Sequence, residues 1–144
     1  MKIRMLGRSG LAVSELCLGT MIFGNTTNEE DSIRMILPFV DQGGNFLDTT
    51  NVYVSGRSEE IVGTAIRDIR SEVVLATKVR MKTSDHPNGA RHLSQAHHAE
   101  RRRELAAAAD GLYRPVPSPC LRPSDADRRD LRALDDLVTS GKVR

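Results

Sequence analysis

Residues 45–66 read NFLDTTNVYVSGRSEEIVGTAI, and this stretch decides the fold class. Asn45 to Asp48 is a short apolar run ending on a carboxylate, the pattern of a buried strand. Ser58 with Glu59 and Glu60 supplies a hydroxyl and two acids where a helix begins, so a helix is expected from Ser58. Strand and helix therefore alternate, and the flanks continue the alternation. Upstream, Thr27 and Glu30 have capping-box spacing, and Ile33, Ile36, Leu37 and Val40 share one face of a helix that Gly43 and Gly44 should stop. Pro38 sits inside it and is expected to kink it. Downstream, EVVLATKV (72–79) reads as a third strand.

Further upstream, LCLGTMIFG (16–24) is an apolar strand ending in glycine. KIRML (2–6) and LAVSEL (11–16) flank the turn residues 7–10 as a hairpin. The core order is β-α-β-α-β, which implies parallel strands with right-handed crossovers. A barrel and an open sheet both satisfy it. The G-x-G-x-x-G turn of an open dinucleotide fold is absent. Asp48 and Lys78 instead fall just past strand C-termini, where a (β/α)8 barrel keeps its chemistry. The barrel is the favoured fold.

Adjacent parallel strands should bring Asp48 and Lys78 together at one mouth, with Tyr53 arching over from the loop. A phenol, with a pKa near 10, is a poor acid at neutral pH. A neighbouring ammonium favours its phenolate, and a carboxylate holds that ammonium charged and in place. Such a trio suits protonation of a carbonyl oxygen while a nicotinamide delivers hydride to the carbon. On spacing alone a plainer reading stands beside it, in which Asp48 caps a loop, Tyr53 packs beneath it and Lys78 is solvated.

The 144 residues suit one domain. A net charge of +2 gives no ground for a nucleic-acid or membrane partner. No signal-peptide core or bilayer-length apolar run is present, and Cys17 and Cys120 have neither metal-ligand spacing nor a reason to pair, so a cytoplasmic location and no metal are expected. Composition divides the chain at about residues 81 and 130. All seven isoleucines, three phenylalanines and five methionines precede residue 82. Residues 82–130 hold all four histidines, five of six prolines, eight alanines and eight arginines, with one valine.

Residues 1–81 closely resemble the aldo-keto reductase family, through LGRSGLAVSELCLGTMIFG, GGNFLDTTNVYVSGRSEEIVGTAI and VVLATKV. LRALDDLVTSGKVR (131–144) resembles the family's helix before its fifth strand. Together these cover about two thirds of the chain. The resemblance implies an NADP-dependent carbonyl reductase acting on a small-molecule aldehyde or ketone. It implies Asp48, Tyr53 and Lys78 as three members of a catalytic tetrad, with Tyr53 as the acid. It also implies Gly19, Thr20, Met21 and Asp48 at the nicotinamide end of NADPH.

The family's fourth member is a histidine in a pattern like D-L-Y-x-x-H, and the corresponding DGLYRPVPSPC (110–120) has none. His86, His92, His97 and His98 lie upstream and read as solvated. A complete barrel takes roughly 250 residues, so an N-terminal portion with the hairpin and the first three to four β/α units is expected.

The aberrant middle has the composition of a GC-rich gene read out of frame. Codons for 110–120 read one nucleotide later permit T-D-Y-I-D-L-Y-Q-V-H, which restores the histidine. The same shift over 95–110 permits an amphipathic helix, and over 120–130 it leads into LRAL. A divergent natural insertion is the other account. On the first, residues 95–130 pack poorly, without a regular fourth strand, and the chain is an inactive remnant of such an enzyme.

Overall fold

The computed structural model describes residues 1–78, 112–113 and 125–141. The expectations for His86, His92, His97, His98 and Cys120, and for most of 82–130, lie outside the described residues.

Strands β1 (Ile3–Met5) and β2 (Ala12–Ser14) form the expected antiparallel hairpin, pairing Arg4 with Val13. The parallel sheet runs β3 (Leu18–Gly19), β4 (Phe46–Asp48), β5 (Val74–Thr77) and β6 (Leu112–Tyr113), in that spatial order. Helix α1 (Glu29–Asp41) connects β3 to β4, and α2 (Arg57–Ala65) connects β4 to β5. Helix α3 (Asp125–Thr139) follows β6 and starts six residues before Leu131. A two-residue fourth strand is thus present within 95–130, in register with Ala76 and Thr77. Its described residues end at Tyr113, and in the sequence Pro115, Pro117 and Pro119 follow, none with an N–H for a ladder.

The core lies between the sheet and the two crossover helices. Phe23, Ile36, Leu47, Ile61, Val62, Ile66, Val73 and Leu75 pack there with little or no exposure. Each large side chain removed from water contributes about 1.5–3 kcal/mol.

Three local expectations need correction. The cap of α1 is Asn28, one residue after Thr27: its Oδ1 accepts from the Asp31 amide at 2.9 Å, and its Nδ2 donates to Asp31 Oδ2 at 2.8 Å. Asn28 has the better capping chemistry, and Asp31 rather than Glu30 is the acid that meets it, side chain to side chain. Leu37 is exposed, and Phe39 joins Ile33, Ile36 and Val40 against the core. One residue past Ile36 is a 100° rotation, enough to turn Leu37 off the stripe. Strand β3 ends at Gly19, because a turn closed by Phe23 N–H to Thr20 O at 3.1 Å follows, leaving Met21 and Ile22 exposed.

The glycine stop of α1 is as expected. Gly43 N–H donates to Val40 O at 2.8 Å and Gly44 N–H to Phe39 O at 2.9 Å, with Gly43 left-handed at φ 82°. This is a Schellman closure. Pro38 lies in the last turn of α1, and the helix continues past it to Asp41.

Asn45 then anchors the hairpin below the sheet. Its Oδ1 accepts from Ser14 N–H at 2.6 Å and its Nδ2 donates to Ala12 O at 3.0 Å.

Candidate active site

Parallel pairing aligns Gly19 with Asp48 and Asp48 with Ala76, so the C-terminal ends of β3, β4 and β5 meet in one row. Lys78 follows β5 immediately. Its ammonium has three donors, and three acceptors surround it: Asp48 Oδ2 at 2.5 Å, Thr49 O at 3.2 Å and Tyr53 Oη at 3.3 Å. The amine also lies 5.1 Å from the centre of the Tyr53 ring, within cation–π range. Burial acts to lower the Lys78 pKa, but hydrogen bonds to Asp48 and Tyr53 and their charges outweigh it and hold the pKa above the ordinary lysine value. Lys78 therefore stays charged. Having no acceptor of its own, it leaves the Tyr53 hydroxyl proton free for another group.

The expected trio is brought together at one mouth. Tyr53 reaches it through a strained turn: Val54 and Ser55 are left-handed at φ 50° and 55°, and Gly56 follows at φ 92°. For a β-branched valine this is an unfavourable conformation. It reverses the chain into α2, whose first residue follows Gly56.

Ser58 was expected to open that helix as a cap, yet the N-cap is Gly56 and no side chain caps it. Ser58 is fully buried and turned toward the sheet. Its hydroxyl donates to Thr20 O at 2.8 Å and lies 2.8 Å from Thr20 Oγ1 and 3.3 Å from Thr49 Oγ1. Thr20 Oγ1 in turn donates to Asp48 O at 3.1 Å. Each of these carbonyls already accepts a backbone N–H, Thr20 O from Phe23 at 3.1 Å and Asp48 O from Thr20 at 3.0 Å, and the hydroxyls fill the second lone pair. Thr50 donates likewise to the Lys78 carbonyl at 3.3 Å.

Of the residues expected near a nicotinamide, Gly19 and Met21 are exposed and Asp48 faces Lys78, whereas the Thr20 side chain is buried in the hydroxyl network. Thr49, Thr50 and Thr77 were not singled out from the sequence, and Ser58 and Glu59 were read only as residues that start a helix. Their signal was a crowd of small hydroxyls just past two strand ends, where water or apolar packing would need none.

Glu59 is buried beside them. Thr77 Oγ1 donates to its Oε1 at 2.6 Å, and its Oε2 is buried with no hydrogen-bond partner among the described residues. Burial pushes its pKa up, against the opposing pull of the Thr77 hydrogen bond.

A sequence profile described as the Aldo/keto reductase family matches residues 15–144. The chain belongs to that family. Among solved structures, this aldo-keto reductase superposes on the holo form of an aldo-keto reductase from Bacillus halodurans with a TM-score of 0.80 and 31% identity, over 100% of this chain and 48% of that one. Its fold is accordingly part of a TIM barrel of the family. It is 34% identical to the versiconal hemiacetal acetate reductase of Aspergillus parasiticus over 169 aligned positions, covering 100% of this chain and 49% of the relative. It is 43% identical to the uncharacterised oxidoreductase YrpG of Bacillus subtilis over 104 positions, covering 65% of this chain and 32% of the relative. The aldo-keto reductase chain thus spans half or less of the length of these relatives. No helix among the described residues is long and apolar enough to cross a membrane.

Proposed function

We propose that this site is that of an NADP-dependent carbonyl reductase of the cytoplasm, with Tyr53 as proton donor to a small aldehyde or ketone. The observation that carries the reading is the Lys78 amine held between Asp48 at 2.5 Å and Tyr53 at 3.3 Å. Tyr53 accepts from Lys78, so its own O–H is available to a carbonyl oxygen. As the proton leaves, Lys78 stabilises the phenolate, and Asp48 keeps the ammonium in place.

The residues also fit a nicotinamide. A Cβ built on Gly19 would meet nothing within 4 Å, so the strand end beside Asp48 is open to a flat ring. Gly19, Met21 and Asp48 would border it, with Thr20 contributing only its backbone. When bound, the reduced cofactor supplies hydride to the carbonyl carbon.

The test is NADPH consumption with simple aldehydes, on this chain and on a frame-restored, full-length version, each with Tyr53→Phe. Tyr53-dependent turnover supports the reading; turnover that survives Tyr53→Phe unchanged in both removes it.

The second reading is an inactive remnant of such an enzyme. It is favoured by the shifted-frame composition of residues 95–130 and by the missing histidine in 110–120. Sequencing the gene across these codons decides it: paired single-base shifts support the remnant, and an uninterrupted in-frame codon pattern opposes it.

A further inference from the structure

We infer that Glu59 is a positioning residue for the Lys78 amine: its hydrogen bond with Thr77 clamps the end of β5 to the first turn of α2, and so sets the separation of Lys78 from Tyr53. The connection closes a ring. From Tyr53 the chain passes through the left-handed turn into α2 and reaches Glu59; Glu59 Oε1 accepts from Thr77 Oγ1 at 2.6 Å. Thr77 adjoins Lys78, whose amine returns to Tyr53 at 3.3 Å. Among the described residues Tyr53 and Lys78 are also joined through β4 and its loop, by Lys78 with Asp48 and Thr49, by Thr50 with the Lys78 carbonyl and by the Thr49 amide with the Ala76 carbonyl.

Stability alone does not account for a carboxyl here. A leucine of similar volume would bury apolar surface without the cost of desolvating two oxygens, one of which is unpartnered among the described residues. The acid keeps a directional contact that leucine lacks. Burial raises its pKa, which favours the neutral form. Neutral Glu59 still accepts from Thr77, and it adds no carboxylate to compete with Asp48 for the lysine.

The significance of the clamp rests on the carbonyl-reductase reading, but its test does not. The four lysines Lys2, Lys78, Lys82 and Lys142 can be followed by NMR on the full chain with carbon-13 at the lysine Cε, Lys78 being assigned with Lys78→Arg. Hydrogen bonds to Asp48 and Tyr53 hold the Lys78 titration high. Glu59→Leu and Thr77→Val are expected to shift its midpoint downward and weaken the contact between its Cε protons and the Tyr53 ring, with the other lysines unmoved. Glu59→Gln and Thr77→Ser keep an acceptor and a donor and are expected to retain both signals. Thr77→Val is nearly isosteric, so a folding failure of Glu59→Leu leaves the test standing. A folded Thr77→Val protein with an unchanged Lys78 midpoint and Tyr53 contact would overturn the inference. Failure of the reductase reading would appear separately, as absent Tyr53-dependent NADPH turnover with the lysine titration intact.

Discussion

Lys78 donates to the Tyr53 hydroxyl oxygen at 3.3 Å while Asp48 accepts a hydrogen bond from another of its N–H groups at 2.5 Å, so the lysine bridges two strands and the loop between them. The bridge is only partly exposed, with 19% of the Lys78 side chain and 28% of the Asp48 side chain open to solvent.

Lys78→Met leaves the Asp48 carboxylate without its ion partner. A fully buried pair broken this way costs roughly 3–5 kcal/mol, and partial solvation here reduces the expected loss to about 2 kcal/mol. Because the folded Lys78 pKa lies above its unfolded value, the contribution is complete below about pH 10 and fades as pH rises through the folded value. Chemical denaturation of both proteins at neutral and strongly alkaline pH measures the gap. A gap that stays constant would count against the pairing.

Glu59 contributes with the same sign at lower pH. Its folded pKa is raised by burial, so above the ordinary glutamate range the folded state holds more protons than the unfolded one. Its contribution is present in acid and declines as pH climbs from about 4.3 through the folded pKa. Glu59→Gln should remove that decline. Parallel stability profiles for the two proteins over this window would contradict it.

Val54→Gly is expected to stabilise the protein. Left-handed backbone costs a non-glycine residue about 1–2 kcal/mol, against which glycine loses roughly 0.5–1 kcal/mol through unfolded-state freedom. The net gain is up to about 1.5 kcal/mol, read as a higher melting temperature by circular dichroism. A lower melting temperature would mean that Val54 packs better than its φ of 50° suggests.

Gly44→Ala should do the opposite. A Cβ there would stand 2.5 Å from two Phe39 ring carbons, inside contact distance, while Phe39 packs on the core. Overpacking of this kind costs about 1–3 kcal/mol. Thermal melts compare it with wild type, and an unchanged midpoint would show that the ring moves freely.

The alternation of apolar runs, glycines and capping residues through residue 78 was enough to specify a hairpin, parallel strands and crossover helices, because each is a local pattern with its own period. Once the strands are parallel, Asp48 and Lys78 share one end of the sheet, so most of the trio was legible as well. The capping-box spacing pointed to Thr27, but Thr27 and Asn28 are adjacent capable caps, and Asn28, the better capping residue, begins α1 with Ser32 and Ile36 buried. Local chemistry did not reveal that Ser58 would turn inward. A serine followed by two acids signals a helix start whichever way its hydroxyl points, and only the pairing of β3 with β4 sets the Thr20 and Asp48 carbonyls where the Ser58 and Thr20 hydroxyls can donate to them. Glu59 is the clearest case. By composition it is an ordinary acid in a first helical turn, and its pairing with Thr77, eighteen residues away, exists only because the crossover lays α2 over the end of β5.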